Sequence, residues 1–376
     1  MTDRQEWTAG LSLTERCNEK CLHCYIGRKN IWKDAGYAPM GLSHGQVMEL
    51  LPQFIEANVT RINFGGGEVA LPPQFIPTTK ALHAAGIKVS LTTNGSTYPV
   101  YRDHLDLFND IGVSIDLPAE AHNKFRGNDK AFEWAGGTLE QLVRQGVRTE
   151  MVTCIMSMNA DILPELYGIA KDIGVDMWRL NRFHASRNDK RRFDDGTIAD
   201  ATDDLNAQLA CTAPELRRAY EFLASVTPKD MDYAIPDPVF RALVQGHGVS
   251  NGTPYGKTSF RIRSDGTVTP NVFTDHVAGN VFKERLVDIV QSPLFKEFRQ
   301  MQPSGKCRRC VNVDHCQGGD CTDAYLNVGN MNAPDPYCFL DTGNVRNVKI
   351  LPIEKTRHVH ESYLATIYVP IRGMKP

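Results

Sequence analysis

The ten cysteines of this 376-residue sequence are its clearest chemical signal, because eight of them lie in two short segments. The first segment contains Cys17, Cys21 and Cys24, separated by three and then two residues. Three thiolates at this spacing can hold a [4Fe-4S] cubane from one loop and leave its fourth iron open to another ligand. A structural zinc site would instead require four protein ligands and would leave no open coordination position. Zinc or redox-active thiols remain the alternatives.

The second segment holds five closely spaced cysteines near the C-terminal end. They are Cys307, Cys310, Cys316, Cys321 and Cys338. This density indicates a second metal site, for which a four-cysteine zinc ribbon is the alternative. The isolated Cys154 lies in a β-like run and is expected in the core.

Glycines and polar residues follow three short apolar runs. These are Gly65-Gly66-Gly67-Glu68, Thr92-Thr93-Asn94-Gly95 and Ser114-Ile115-Asp116. Active sites of parallel β/α barrels lie at the C-terminal ends of strands, so these residues are candidates for a site. Ordinary strand-to-helix turns, with Asn94 and Asp116 as helix caps, are the alternative.

The elements that would position these residues alternate between apolar runs and amphipathic stretches. The predicted strands are Thr8–Leu13, Arg61–Phe64, Lys88–Thr92, Gly112–Leu117, Arg148–Met156 and Asp176–Leu180. The predicted helices are Ser43–Ala57, Pro73–Ala85, Lys130–Gln145 and Ala160–Ile173. Ser43 is the expected N-cap of the first, and a glycine follows each of the other three. About six β/α units suit a barrel or a doubly wound sheet.

The pattern changes after Leu180. A helical region is expected over Ala199–Val226, and a domain boundary near 230 to 255. Ser259–Val268 is a predicted β-hairpin, because Asp265-Gly266 supplies the positive φ of a tight turn. The tail alternates around Ile350 and over Tyr363–Val369, which suggests edge strands.

Composition narrows the class of protein. Hydrophobic residues make up 41% and charged residues 23%, as in an ordinary globular protein. The 42 basic and 44 acidic residues give a formal charge of −2, which argues against a dedicated nucleic-acid binder. With no export signal and no long apolar stretch, we expect a cytoplasmic protein without a membrane span, whose cysteines are thiols or metal ligands.

The segment Cys17-Asn18-Glu19-Lys20-Cys21-Leu22-His23-Cys24-Tyr25 resembles the cysteine motif of the radical S-adenosylmethionine (SAM) superfamily. The resemblance covers about the first 225 residues. It implies an α/β fold, a partial (β/α)6 TIM-type barrel holding a [4Fe-4S] cluster whose open iron is chelated by SAM. It also implies reductive cleavage of SAM to a 5′-deoxyadenosyl radical that takes a hydrogen atom from the substrate.

The same resemblance assigns the residues that contact SAM. They are Tyr25, Gly66, Gly67, Glu68, Asn94, Ser114, Asp116 and Arg126. In the family the glycine motif meets the methionine amino group, and Glu68 would pair with that ammonium. Val69 stands where proline is common, which affects loop stiffness more than chemistry. For Arg126 a solvated arginine is the alternative.

The C-terminal cysteine segment is similar to the SPASM extension of radical SAM enzymes, and most to the pattern of mycofactocin maturases. In the full pattern an outer auxiliary cluster uses cysteines matching Cys307, Cys310, Cys316 and Cys338. An inner cluster needs two cysteines that flank the hairpin Gly266, where this chain has Asn251 and Asn271. The resemblance therefore predicts two [4Fe-4S] clusters in all. Cys321 is left as an inert thiol, an alternative ligand or a hydrogen-atom donor.

Basic residues crowd the segment after the last predicted strand. They are Arg179, Arg182, His184, Arg187, Lys190, Arg191 and Arg192. At the rim of a barrel such a segment would suit an anionic group of the substrate, and Arg182 is the candidate nearest the strand end. A solvated charged face is the alternative.

These observations together predict a radical SAM oxidoreductase with a barrel over residues 1–230, a SPASM or twitch-like domain over 231–345 and a tail over 346–376. The expected substrate is a ribosomally made peptide, oxidised, crosslinked or epimerised. Flavodoxin or ferredoxin would donate electrons, and a separate protein would bind the leader peptide. The alternatives are a small molecule (sugar, aminocyclitol, nucleoside or tetrapyrrole) as substrate, and a non-catalytic metal-binding interaction protein.

Overall fold

The computed structural model describes residues 5–24, 41–184, 191–192, 198–199, 209–226, 236–244, 252–274, 276–340 and 366–372. The chain divides into two compact units, neither of them continuous in sequence. The first unit comprises Met1–Met151 with Tyr255–Gln300, and the second comprises Val152–Pro254 with Met301–Pro376. The domain limits expected at 230 and 345 stay a prediction.

The described elements of the N-terminal half alternate as predicted. They are β1 (Trp7–Thr14), α1 (His44–Glu56), β2 (Val59–Gly66), α2 (Phe75–Ala84), β3 (Lys88–Thr93), α3 (Tyr98–Tyr101), a 3₁₀ turn (Arg102–Leu107), β4 (Asp110–Ser114), α4 (Ala119–Arg126), α5 (Ala131–Arg144) and β5 (Thr149–Ile155). Each predicted strand and helix of this stretch forms, with its ends shifted by a few residues. Helices α3 and α4 were not predicted.

The next elements are α6 (Ser157–Ala160), α7 (Leu163–Ile173), β6 (Met177–Arg182), β7 (Arg191–Arg192), β8 (Ile198–Ala199), α8 (Ala213–Val226) and α9 (Pro238–Leu243). Then follow β9 (Ser259–Ile262), β10 (Thr267–Thr269), β11 (Gly279–Asn280), α10 (Leu286–Ile289) and α11 (Pro293–Arg299). A 3₁₀ turn (Gly305–Arg309), α12 (Val313–Cys316), α13 (Cys321–Val328) and β12 (Thr366–Pro370) complete them.

In the first unit the strand order is β11-β10-β9-β1-β2-β3-β4. Strands β1 to β4 run parallel, and β9 runs parallel to β1. The register sets Leu11 beside Phe64, Phe64 beside Leu91 and Leu91 beside Ile111, and all four side chains are fully buried. This apolar row fixes the strand ends that carry the polar motifs at one edge.

The predicted hairpin is confirmed, because β9 and β10 pair in antiparallel fashion and Gly266 has φ +82°. The strand order continues as β5-β6-β12, where β5 begins in the first unit and ends in the second, and β12 pairs with β6 in antiparallel fashion as an edge strand, as the tail pattern suggested. The strand suggested around Ile350 lies outside the described residues. A mixed α/β fold with mainly parallel strands confirms the predicted fold class.

Local signals explain the helix ends. Ser43 caps α1 with a complete capping box, since its hydroxyl accepts from the Gln46 amide and the Gln46 side chain accepts from the Ser43 amide. Gly174 ends α7 in the left-handed conformation. Within the described ranges, none of the helices meets the length and hydropathy that a membrane span requires.

Candidate active site and auxiliary cysteine site

The first cysteine loop follows β1 and is tied to the C-terminal end of α4. The Lys20 amide donates to the Arg126 carbonyl at 2.9 Å, and the Leu22 amide donates to the Phe125 carbonyl at 3.2 Å. The His23 ring stacks on Phe125 with 4.8 Å between centroids. Helix α4 therefore supports the loop between its three cysteines.

Arg126 joins the same loop to the end of β4. Its guanidinium donates to Asp116 Oδ2 at 2.6 Å and to Glu19 Oε2 at 3.0 Å, and all three residues are buried. Glu19 lies between Cys17 and Cys21, so a buried arginine bridges a strand end and the cysteine motif. The observed partners of Arg126 are carboxylates of the protein, and its predicted contact with SAM stays a prediction.

Burial governs the protonation of Cys17 and Cys21, two of the three thiols in this loop. Burial raises the pKa of Cys21 well above its usual value, although Arg126 lowers it. Cys17 is exposed when the whole residue is considered, but protein atoms surround its sulfur. This burial raises the pKa of Cys17 to about 12, and the charges of Glu68 and Cys24 add smaller increases. Such thiols stay protonated without a metal and release their protons when one binds.

The glycine motif at the end of β2 packs against the backbone that leads into the cysteine loop. The Gly67 amide donates to the Thr14 carbonyl at 2.9 Å, and the Glu68 amide donates to the Arg16 carbonyl at 2.8 Å. A Cβ atom would lie 2.1 Å from the Thr14 oxygen at Gly66 and 1.8 Å from the Arg16 oxygen at Gly67. Only glycine permits this approach.

Glu68 fastens the glycine motif to the end of β3. Its buried carboxylate accepts from Thr93 Oγ1 at 2.6 Å, from Thr97 Oγ1 at 2.5 Å and from the Asn94 amide at 2.9 Å. Burial raises the pKa of Glu68 despite these donors. Its predicted pairing with the SAM ammonium stays a prediction.

The remaining predicted SAM contacts are placed as follows. The Asn94 side chain donates to Asn18 Oδ1 at 2.9 Å and lies 4.0 Å from Cys17 Sγ. Ser114 is half-buried at the end of β4. Tyr25 lies outside the described residues. The three strand ends and the cysteine loop thus meet within the first unit through hydrogen bonds, which is the arrangement that a cofactor site of this kind requires.

In the second unit, the thiols of Cys307 and Cys316 have raised pKa values. Burial raises the pKa of Cys307 to about 11 and that of Cys316 to about 12, and the charges of Cys338 and Cys310 raise both. Burial also raises the pKa of Cys338. These are the four cysteines predicted to hold the outer auxiliary cluster, and four thiolates are a suitable donor set for it.

Cys321 and Asn271 have other contacts. Cys321 begins α13, and its buried sulfur lies 3.0 Å from Thr253 Oγ1. Asn271 Oδ1 accepts from the amides of Phe273 and Thr274, both at 2.9 Å, so this residue stabilises its own turn. Asn251 lies outside the described residues.

Arg182 is the last residue of β6, the strand end at which it was predicted, and its side chain is paired within the protein. Its buried guanidinium donates to both oxygens of Asp237 at 3.1 Å, to Asp323 Oδ2 at 3.0 Å and to Asp335 Oδ2 at 2.6 Å. Its observed partners are three carboxylates of the protein itself, and its predicted role toward an anionic group of the substrate stays a prediction. The run Pro334-Asp335-Pro336 was visible in the sequence, but nothing local linked Asp335 to Arg182.

The fold and the two cysteine sites define a radical SAM enzyme with an auxiliary cluster domain. The chain matches the radical SAM superfamily over residues 11–167 and the SPASM iron-sulfur cluster-binding domain over residues 254–311. The radical SAM match confirms the resemblance that the cysteine motif predicted. These domains imply SAM and iron-sulfur clusters as its cofactors.

The chain is similar to several known proteins over most of its length. It is 26% identical to pre-heme d1 synthase of Dinoroseobacter shibae over 366 residues, covering 91% of this chain and 89% of that protein. It is 26% identical to mycofactocin maturase MftC of Mycolicibacterium smegmatis over 342 residues, covering 87% and 81%. Streptococcus suis SuiB, solved with its precursor peptide SuiA, shares the fold with TM-score 0.63 at 13% identity, covering 90% of this chain and 76% of SuiB.

Proposed function

We propose that the protein is a radical SAM oxidoreductase that abstracts hydrogen from an unactivated carbon of a ribosomally made peptide and thereby oxidises, crosslinks or epimerises it. The observation that carries this proposal is the hydrogen bonding of the glycine motif of β2 to the backbone that leads into the Cys17–Cys24 loop. The similarity to mycofactocin maturase over 87% of the chain supports a peptide substrate.

In this proposal Cys17, Cys21 and Cys24 hold the [4Fe-4S] cluster that, with SAM bound, supplies the 5′-deoxyadenosyl radical. The Gly66-Gly67 backbone admits the methionine end of SAM, and Glu68 orients its ammonium group. Asn94, Ser114 and Asp116, with Tyr25, position the rest of SAM. Arg126 holds the cysteine loop against the strand end.

The second cluster of the proposal is held by Cys307, Cys310, Cys316 and Cys338, which gives two [4Fe-4S] clusters in all. A flavodoxin or ferredoxin would supply the electron, and a separate protein would present the leader of the peptide.

The test is an anaerobic assay with reconstituted protein, dithionite and SAM. We expect release of 5′-deoxyadenosine, and in the presence of the precursor peptide from the same gene cluster, a matching change in peptide mass. No 5′-deoxyadenosine from cluster-loaded protein would contradict the enzymatic proposal and favour a metal-binding interaction protein. Release without any peptide change would contradict the substrate proposal alone.

A tetrapyrrole is the second candidate substrate, because the match to pre-heme d1 synthase covers 91% of this chain and 89% of that protein. The same assay with tetrapyrroles in place of the peptide distinguishes the two. A tetrapyrrole whose mass changes in proportion to the 5′-deoxyadenosine released would establish the small-molecule alternative.

A further inference from the structure

A buried group of nitrogen and oxygen donors lies in the second unit, apart from the thiols of the cysteine segment. His184 follows β6, Asp320 is the N-cap of α13, and Asp323 lies in the first turn of that helix. Each offers one donor atom, and the three atoms lie within 4.8 Å of one another. His184 Nδ1 is 3.1 Å from Asp323 Oδ1, the separation of adjacent ligands around a metal with bonds of about 2.1 Å.

The charges around these donors do not balance. Four aspartates surround the group, namely Asp237, Asp320, Asp323 and Asp335, and each is at most 1% exposed. Arg182 is the guanidinium among them, and it pairs with three of the four. Among the described residues, with all four aspartates ionised and His184 protonated, two negative charges remain in excess. Burying unpaired charge is costly, so the group favours a cation.

Asp320 identifies where a cation would sit. Its Oδ1 caps α13 by accepting from the amides of Thr322 at 2.7 Å and Asp323 at 3.2 Å. Its Oδ2 is buried and has no hydrogen-bond donor within the part of the chain that the structure describes. A buried carboxylate oxygen without a donor loses its solvation and gains nothing in return.

We propose that His184, Asp320 and Asp323 bind a divalent metal ion. One imidazole and two carboxylates suit Mn²⁺, Fe²⁺ or Zn²⁺, whereas a softer ion such as Cu⁺ prefers thiolates. The ion would supply the missing partner of Asp320 Oδ2 and reduce the excess negative charge. It would connect the segment after β6 with the start of α13, and this role is independent of the substrate and of SAM.

The test uses Mn²⁺ as the probe on the cluster-loaded protein. Anaerobic titration followed by the electron paramagnetic resonance signal of free Mn²⁺ should show one tight site per chain. Asp320→Asn and His184→Gln should each weaken that site by more than about tenfold, because each removes one of three ligands. Asp161→Asn is the matched control, since Asp161 is an exposed aspartate of the same unit that pairs with Arg218. Iron and sulfide analysis of each variant shows whether the clusters are retained.

Thermal unfolding gives a second readout on the same proteins. Mn²⁺ should raise the melting temperature of the wild-type protein and of Asp161→Asn, but not that of Asp320→Asn. Equal Mn²⁺ binding by the wild type and Asp320→Asn would overturn the proposal. If the variants do not fold, wild-type crystals soaked in Mn²⁺ decide the question. An anomalous peak between the three donors supports the site, and no peak there overturns it.

Discussion

The Arg182 guanidinium lies 2.6 Å from Asp335 Oδ2, and the main chain of Asp335 bonds to Cys338 and to Gly318, which lies two residues after Cys316. The Asp335 carbonyl accepts from the Cys338 amide at 3.1 Å, and its own amide donates to the Gly318 carbonyl at 3.0 Å. A Cβ on Gly319 would lie 2.2 Å from Asp335 Cβ, so this close contact requires glycine. Arg182 therefore positions the auxiliary cysteines from β6.

Replacing Arg182 with methionine should destabilise the second unit by about 3–5 kcal/mol, because it leaves buried carboxylates without their partner. We also expect iron to be lost from the C-terminal cysteines. Thermal unfolding and iron analysis measure the two effects. Arg218→Met removes an exposed arginine of the same unit and should change neither. An Arg182→Met protein as stable as that control would show that Arg182 does not hold this network.

Replacing Gly67 with alanine should weaken SAM binding by about 5- to 100-fold, because overpacking of this kind costs about 1–3 kcal/mol. The new methyl group would meet the Arg16 carbonyl oxygen and displace the cysteine loop. Anaerobic equilibrium dialysis with SAM measures the loss. Gly137→Ala is the matched control, since an added Cβ meets nothing within 4 Å in the interior of α5. It should leave SAM binding unchanged and stabilise the protein by about 1 kcal/mol.

Replacing Arg126 with methionine should prevent the first cluster from assembling, because buried Asp116 and Glu19 would lose their shared cation beside the cysteine loop. We expect about four irons fewer per chain. Arg144→Met, in which the lost partner is an exposed Glu140, should retain all its iron. Full iron content in Arg126→Met would contradict this positioning role.

The features that the sequence predicted are those formed by residues close together in the chain. The Cys17 loop, the glycine motif of β2 and the Asp265-Gly266 hairpin each depend on residues close in the chain, and periodicity located the strands between them. Helix α4 was missed because Ala119–Arg126 is short and mostly polar. Its importance comes from Arg126, whose partners lie elsewhere in the chain.

The sequence also did not predict the partners of Arg182, because these ion pairs join residues far apart in the chain. Arg182 and Asp335 are 153 residues apart, and no spacing rule connects them. In isolation, a basic stretch after a strand favours a solvated or substrate-facing role. The structure adds a burial against three aspartates that the sequence did not predict, because the segments that bury Arg182 are distant in the chain.

The proposed cluster count gives a prediction for the wild-type protein. Two [4Fe-4S] clusters correspond to about eight irons and eight sulfides per chain. Replacing Cys17, Cys21 and Cys24 together by alanine should remove about four irons and all SAM cleavage. A wild-type value of about twelve irons would instead indicate an inner auxiliary cluster and contradict the proposed count.

The final prediction concerns Cys321→Ala, with Cys154→Ala as the control thiol. The Cys321 sulfur lies 3.0 Å from Thr253 Oγ1, whereas the other four C-terminal thiols act on one another. We therefore expect an inert thiol, so that iron content, SAM cleavage and product all stay unchanged. Loss of about four irons would establish a ligand role. Full iron and normal SAM cleavage, but an altered or dehydrogenated product, would establish a hydrogen-atom donor. Because a ligand changes the iron content and a donor changes only the product, measuring both on this one variant separates the three roles.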